Sequence, residues 1–98
     1  ELDTWLLWAD VVQKNEDLNS AIQILKQGKE FYPEEASILY KMSGIHSLLG
    51  NIQKAQKFIS AAMLLDADGL KDFQEEYPKF CATKWMTNIL EQYKKASK

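Results

Sequence analysis

The 98 residues are 46% hydrophobic and 27% charged, the composition of a chain that folds around one core and not of a disordered segment. Acidic residues outnumber basic ones by 14 to 12 and every basic residue is a lysine, which argues against nucleic acid, where bidentate arginines and a positive field are usual. A single cysteine, Cys81, excludes an intramolecular disulfide, one histidine leaves no Cys/His set for zinc, and no apolar run approaches the roughly 18 residues that insert across a membrane.

These bounds predict one soluble domain without cofactor or metal, cytoplasmic by default. An opening Glu1 in place of Met, followed almost at once by a helical pattern, reads as a piece of a longer chain. Residues 2–14 place Leu2, Trp5, Leu6, Ala9 and Val12 at helical spacing, while Leu7, Trp8 and Val11 widen the apolar surface past one stripe. Such a helix has neighbours on two sides. Where nothing covers them, Trp5, Leu7, Trp8 and Val11 are expected to drive self-association into a homodimer.

Residues 15–17 break the pattern, and Asp17 is placed to cap a second helix, whose stripe is Leu18, Ala21, Ile22, Leu25 and Gly28 and whose end falls near Phe31. Pro33 fixes the next turn and drives Tyr32 toward an extended conformation. A third helix over residues 35–49 follows, with Glu34 and Glu35 at its positive end. It packs through Ile38, Leu39, Met42, Ile45, His46 and Leu49, and Gly50 is its left-handed terminator.

The fourth helix, residues 52–65, carries Ile52, Ala55, Phe58, Ile59, Ala62 and Leu65, a face wide enough to predict burial on two sides. A turn at residues 66–69 offers Asp68 as the cap of a fifth helix, which bears Leu70, Phe73 and Tyr77 and must stop before Pro78. Residues 78–82 read as a linker. The last helix, residues 83–96, has an apolar face of Trp85, Met86, Ile89, Leu90 and Tyr93 opposite Lys84, Glu91, Gln92, Lys94 and Lys95. One apolar and one polar face describe a capping helix, with Lys94, Lys95 and Lys98 at its negative end.

The stretch Ala21-x-x-x-Leu25-x-x-Gly28-x-x-x-x-Pro33 returns 34 residues later as Ala55-x-x-x-Ile59-x-x-Ala62-x-x-x-x-Ala67. Ahead of it, Trp5, Trp8, Ala9 and Val12 return at the same offset as Leu39, Met42, Ser43 and His46. The pattern over residues 2–69 resembles the tetratricopeptide repeat family. That resemblance implies an all-α fold of antiparallel helix pairs wound as a right-handed α-solenoid. A single domain over 1–98 would hold one repeat at about 2–35, a second at about 36–69, and a degenerate third with its capping helix at about 70–98.

The resemblance also implies a concave groove, lined by the first helix of each pair, that receives a protein or peptide. By register its walls would be Asp3, Leu6, Asp10 and Gln13, then Ser37, Tyr40, Gly44 and Ser47, then Lys71 and Gln74, with Lys41 at the edge. The family's clamp for the carboxylate end of chaperones is not matched: Leu6, Asp10, Lys41 and Glu75 stand where it wants Lys, Asn, Asn and Arg, and only Lys71 agrees.

No constellation of side chains points to catalysis. His46 occupies the repeat position of Val12 and reads as a packing residue, and Cys81 between Phe80 and Ala82 lacks a base. The acids at 34–35, 66–68 and 72–76 lack calcium-loop order, and Lys54 and Lys57 read as a solvated helix face. The expected function is a non-catalytic scaffold or protein–protein interaction module. The alternatives are a purely structural C-terminal segment of a longer solenoid and a regulatory appendage of a larger enzyme.

Overall fold

The computed structural model describes residues 2–15 and 17–96, and among them there are seven α-helices, one short 3₁₀ turn and no strand. Glu16 of the expected break and Lys98 of the expected dipole pairing lie outside the described residues. Helices α1 (Leu2–Lys14) and α2 (Leu18–Phe31) form the first antiparallel hairpin. Asp17 caps α2 as its position predicts, accepting from the Ser20 amide at 3.2 Å. Small residues let the pair close: Ala9 and Ala21 have no exposed surface, and a Cβ added at Gly28 would lie 3.1 Å from the Trp5 ring.

The second hairpin joins α3 (Ala36–Leu48) to α4 (Ile52–Leu65) through Gly50, whose φ of 83° is open only to a residue without Cβ strain. The Asn51 amide reaches back to the His46 carbonyl at 2.9 Å, satisfying one of the orphan acceptors at the end of α3. Inside, Ser43 Oγ donates to the Ala55 carbonyl at 2.6 Å, so the buried hydroxyl pins the two helices at their crossing.

Helix α3 is enclosed more completely than a single stripe predicts. Tyr40, Ser43 and Gly44 are buried along with Ile38, Leu39 and Met42, because α2, α4 and α5 (Leu70–Glu76) all pack against it. Helix α4 departs in the other direction. Its Ala55, Ile59 and Ala62 are buried and Phe58 packs against both cores, but Ile52, Leu64 and Leu65 are exposed, so the wide face expected to be buried on two sides is covered only in part.

Beyond α4, a 3₁₀ turn at Ala67–Gly69 leads into α5. Asp68 does not cap α5, which starts after Gly69 without a side-chain cap; Asp66 instead caps the 3₁₀ turn, its Oδ1 accepting from the Asp68 amide at 3.1 Å, since Asp66 has the extended backbone of a cap whereas Asp68 is already inside the turn. The expected linker is also partly helical. Pro78 opens a one-turn helix, α6 (Pro78–Cys81), at a first position where its missing N–H costs nothing. Only Tyr77 separates α5 from α6, and its amide still reaches the Phe73 carbonyl at 2.8 Å. Thr83 then starts α7 (Lys84–Ala96), its Oγ1 accepting from the Met86 amide at 3.4 Å.

In place of the single core expected from composition, two apolar cores result, one on each side of α3, because that helix is packed against on both sides. The first unites Ala9, Ala21, Leu25, Ile38, Met42 and Ile45; the second unites Leu39, Ile59, Ala62, Phe73, Phe80 and Met86. Trp85, Leu90 and Tyr93 of α7 lie against the second core, which gives that helix its covering role. Truncating a fully buried member such as Leu25 or Ile59 to Ala costs about 2–5 kcal/mol, a large part of what a domain of this size has.

Candidate functional site

Helices α1, α3 and α5 meet around Lys41, in the middle of α3. Its ammonium pairs with Asp10 of α1 and, at 2.9 Å, with Glu76 of α5, so one cation ties three helices. Burial opposes that charge, but the hydrogen bonds to Asp10 and Glu76 outweigh it and raise the Lys41 pKa above its ordinary value. A turn further on, the Tyr77 ring lies on Gly44: a Cβ added there would sit 2.2 Å from the ring. Gln13 Nε2 of α1 donates to the Tyr77 hydroxyl at 3.1 Å, which closes the seam between the first and fifth helices. Burial, with Glu76 alongside, drives the Tyr77 hydroxyl well above its usual range.

The residues assigned to the groove from register therefore have different fates. Asp3 is exposed at the rim, while Leu6 leans into the first core. Asp10 and Gln13 are half-buried and engaged as above, and Gly44 is covered by Tyr77. Tyr40 is buried over Gly69, its hydroxyl donating to the Asp66 carbonyl at 2.6 Å, and burial ahead of the Asp66 charge pushes its pKa up to about 12. Ser37 donates to Glu35 Oε1 at 3.0 Å and Ser47 to the Gly44 carbonyl at 2.6 Å. Lys71 and Gln74 are exposed and border a separate recess against Leu90, Tyr93 and Lys94 of α7.

What stays open is a pair of recesses on either side of Glu76 and Tyr77. The larger, about 560 Å³, has walls of Leu48, Ile52, Tyr77, Pro78 and Phe80, with Gln13 and Ser47 at its edge. Leu48 and Ile52 are 55% and 43% exposed, large side chains left at a mouth where solvent can reach them. The smaller, about 290 Å³, is bordered by Glu35, Asp66, Asp72 and Glu76. Reading by register missed Leu48, Ile52, Pro78 and Phe80. The available signal was Leu48, an apolar residue where the first repeat has Lys14.

A second feature is the outer side of α1. Leu7, Trp8 and Val11 are 65%, 50% and 52% exposed, whereas Met42 and Ile45, the residues 34 positions on from Trp8 and Val11, are 1% and 0% exposed in the first core. Trp5, grouped with that patch from sequence, instead turns inward: it covers Gly28, where no Cβ obstructs it, and stacks between Trp8 and Phe31 at 6.0 and 5.8 Å.

His46 and Cys81 both sit among apolar neighbours. His46 is buried, stacks on Phe58 with centroids 5.5 Å apart, and accepts at Nδ1 from Asn51 Nδ2 at 3.3 Å. Burial, then the fields of Lys54 and Lys26, lower its pKa, so the ring is neutral at pH 7. Burial likewise pushes the Cys81 thiol up, away from the thiolate. No group of three His, Cys, Asp or Glu that could hold a metal ion occurs among the described residues, and no helix there is long and apolar enough to cross a membrane. No protein-family model, curated protein or solved structure matches the chain.

Proposed function

We propose that this chain is a non-catalytic protein–protein interaction module of the tetratricopeptide type, a short right-handed solenoid whose inner face receives a peptide segment of a partner protein. Burial that repeats with the sequence supports the architecture. Ala9 and Ser43, Ala21 and Ala55, and Leu25 and Ile59 are pairs 34 residues apart, and all six have no exposed surface. The observation that carries the functional reading is the 560 Å³ recess with Leu48 and Ile52 at its mouth. Exposed large apolar side chains around a concavity on an otherwise mixed-charge surface mark a contact site, and this volume suits one or two bulky side chains.

The test is selection from a displayed peptide library, with the footprint of the recovered peptides mapped by amide chemical shifts. Shifts centred on Leu48, Ile52 and Phe80, lost in Leu48→Asp, are expected. Peptides whose footprint falls elsewhere and survives Leu48→Asp would refute the assignment.

A second reading is favoured by the outer face of α1. Its exposed Trp8 and Val11 correspond to side chains that α3 buries, which supports either a further helix pair stacked on α1, as in a longer solenoid, or a homodimer through it.

A further inference from the structure

The two recesses adjoin across Glu76 and Tyr77, which line both, and together they make a trough of two chemistries interrupted by those two side chains. At one end the walls are Leu48, Ile52, Pro78 and Phe80, with the exposed Lys79 beside them. At the other they are Glu35, Asp66, Asp72 and Glu76, and the one cation lining that end, Lys41, is already committed to Asp10 and Glu76. That end therefore keeps a surplus of negative charge facing solvent next to an apolar hollow. A ligand with a carboxylate would meet repulsion there, and a purely apolar one would leave the carboxylates without gain.

We propose that the trough binds an amphipathic basic peptide segment, seating a bulky apolar side chain between Leu48, Ile52 and Phe80 and placing lysine or arginine side chains beside Asp72 and Glu35. The proposal rests on the interaction-module reading and adds the chemistry of its partner. Charge complementarity fixes the orientation: the apolar anchor supplies the buried area, and the carboxylates select the cation and speed encounter. Because Asp72 is exposed and Glu35 half-buried, the electrostatic part is screened by salt, while the anchor is not.

The experiment uses fluorescence anisotropy with a labelled peptide alternating leucine and lysine, a leucine–glutamate counterpart, and amide-shift mapping of each complex. The lysine peptide is expected to bind about tenfold or more tightly than the glutamate peptide, and to weaken as salt rises from ~0.01 M to ~1 M. Asp72→Lys and the size-preserving Asp72→Asn should each weaken it, the first by about tenfold, and Leu48→Asp should weaken it at every salt concentration. Helix content measured in parallel shows whether each variant is folded.

If both peptides bind equally, or the Asp72 variants leave affinity unchanged while Leu48→Asp abolishes it, the cationic preference is overturned and the interaction-module reading stands. If the footprint avoids Leu48 and Phe80 and follows Trp8→Lys instead, both fail at this trough. Absence of binding by either peptide also overturns the proposal.

Discussion

Replacing Gly44 by Ala puts a Cβ 2.2 Å from the ring of Tyr77, well inside the 3.4–4 Å of ordinary contact. The ring cannot slide far, because Phe73 lies against it with centroids 5.2 Å apart and only 6% of Tyr77 is exposed. The substitution should expel the ring. That forfeits about 2 kcal/mol of burial and about 1 kcal/mol for the hydrogen bond to Gln13, offset by about 1 kcal/mol from the better helix propensity of Ala. The net cost of about 2 kcal/mol corresponds to a Tm lower by about 8–16 °C for a chain of this length. Urea titration followed by helix ellipticity measures it, in a cycle with Tyr77→Ala. Without the ring, Gly44→Ala should become stabilising by up to ~1 kcal/mol. Equal cost in both backgrounds, with a coupling below ~0.5 kcal/mol, would show that the ring does not rest on Gly44 and that the central inner face is open.

Light scattering over a wide concentration range is expected to show a weak self-association that Trp8→Lys removes without loss of helix content; a constant monomer mass would exclude the α1 contact. Deleting residues 83–98 removes Met86 from the second core and uncovers Phe73 and Phe80, and sedimentation should then show aggregation, so a soluble monomeric truncation would contradict the covering role of α7. His46 has a folded pKa below its ordinary 6.5, so the unfolded chain takes up the proton first. Its contribution to stability is complete above pH 6.5 and is lost as pH falls through that value toward the lower folded one, at no more than ~1.4 kcal/mol per pH unit. His46→Phe, which keeps a ring against Phe58, should flatten this part of the stability–pH curve, and an unchanged curve would assign the dependence to other groups. Cys81→Ser is expected to keep fold and peptide affinity, checked by melting and anisotropy.

Except for α6 and the cap expected at Asp68, helix positions and ends were legible in the sequence because they depend on neighbours a few residues away. Asp17 offers an acceptor where α2 has free amides, Gly50 can take a φ of 83°, and Pro33 cannot continue α2; each follows from local sterics or hydrogen bonding. Burial of the small residues Ala9, Ala21, Ser43, Ala55 and Ala62 followed from periodicity, which says which side chains share a face. Periodicity does not say which distant surface that face meets. Tyr77 on Gly44, Lys41 between Asp10 and Glu76, and the hollow bounded by Leu48, Ile52 and Phe80 join residues far apart in sequence. They exist because Pro78 stops α5 at Glu76 and, one residue later, redirects the chain as α6. Register alone therefore drew an unbroken inner groove from Asp3 to Gln74. Packing set the Tyr77 ring on Gly44 at its middle and left two recesses of different chemistry on either side of Glu76 and Tyr77, where α5 ends.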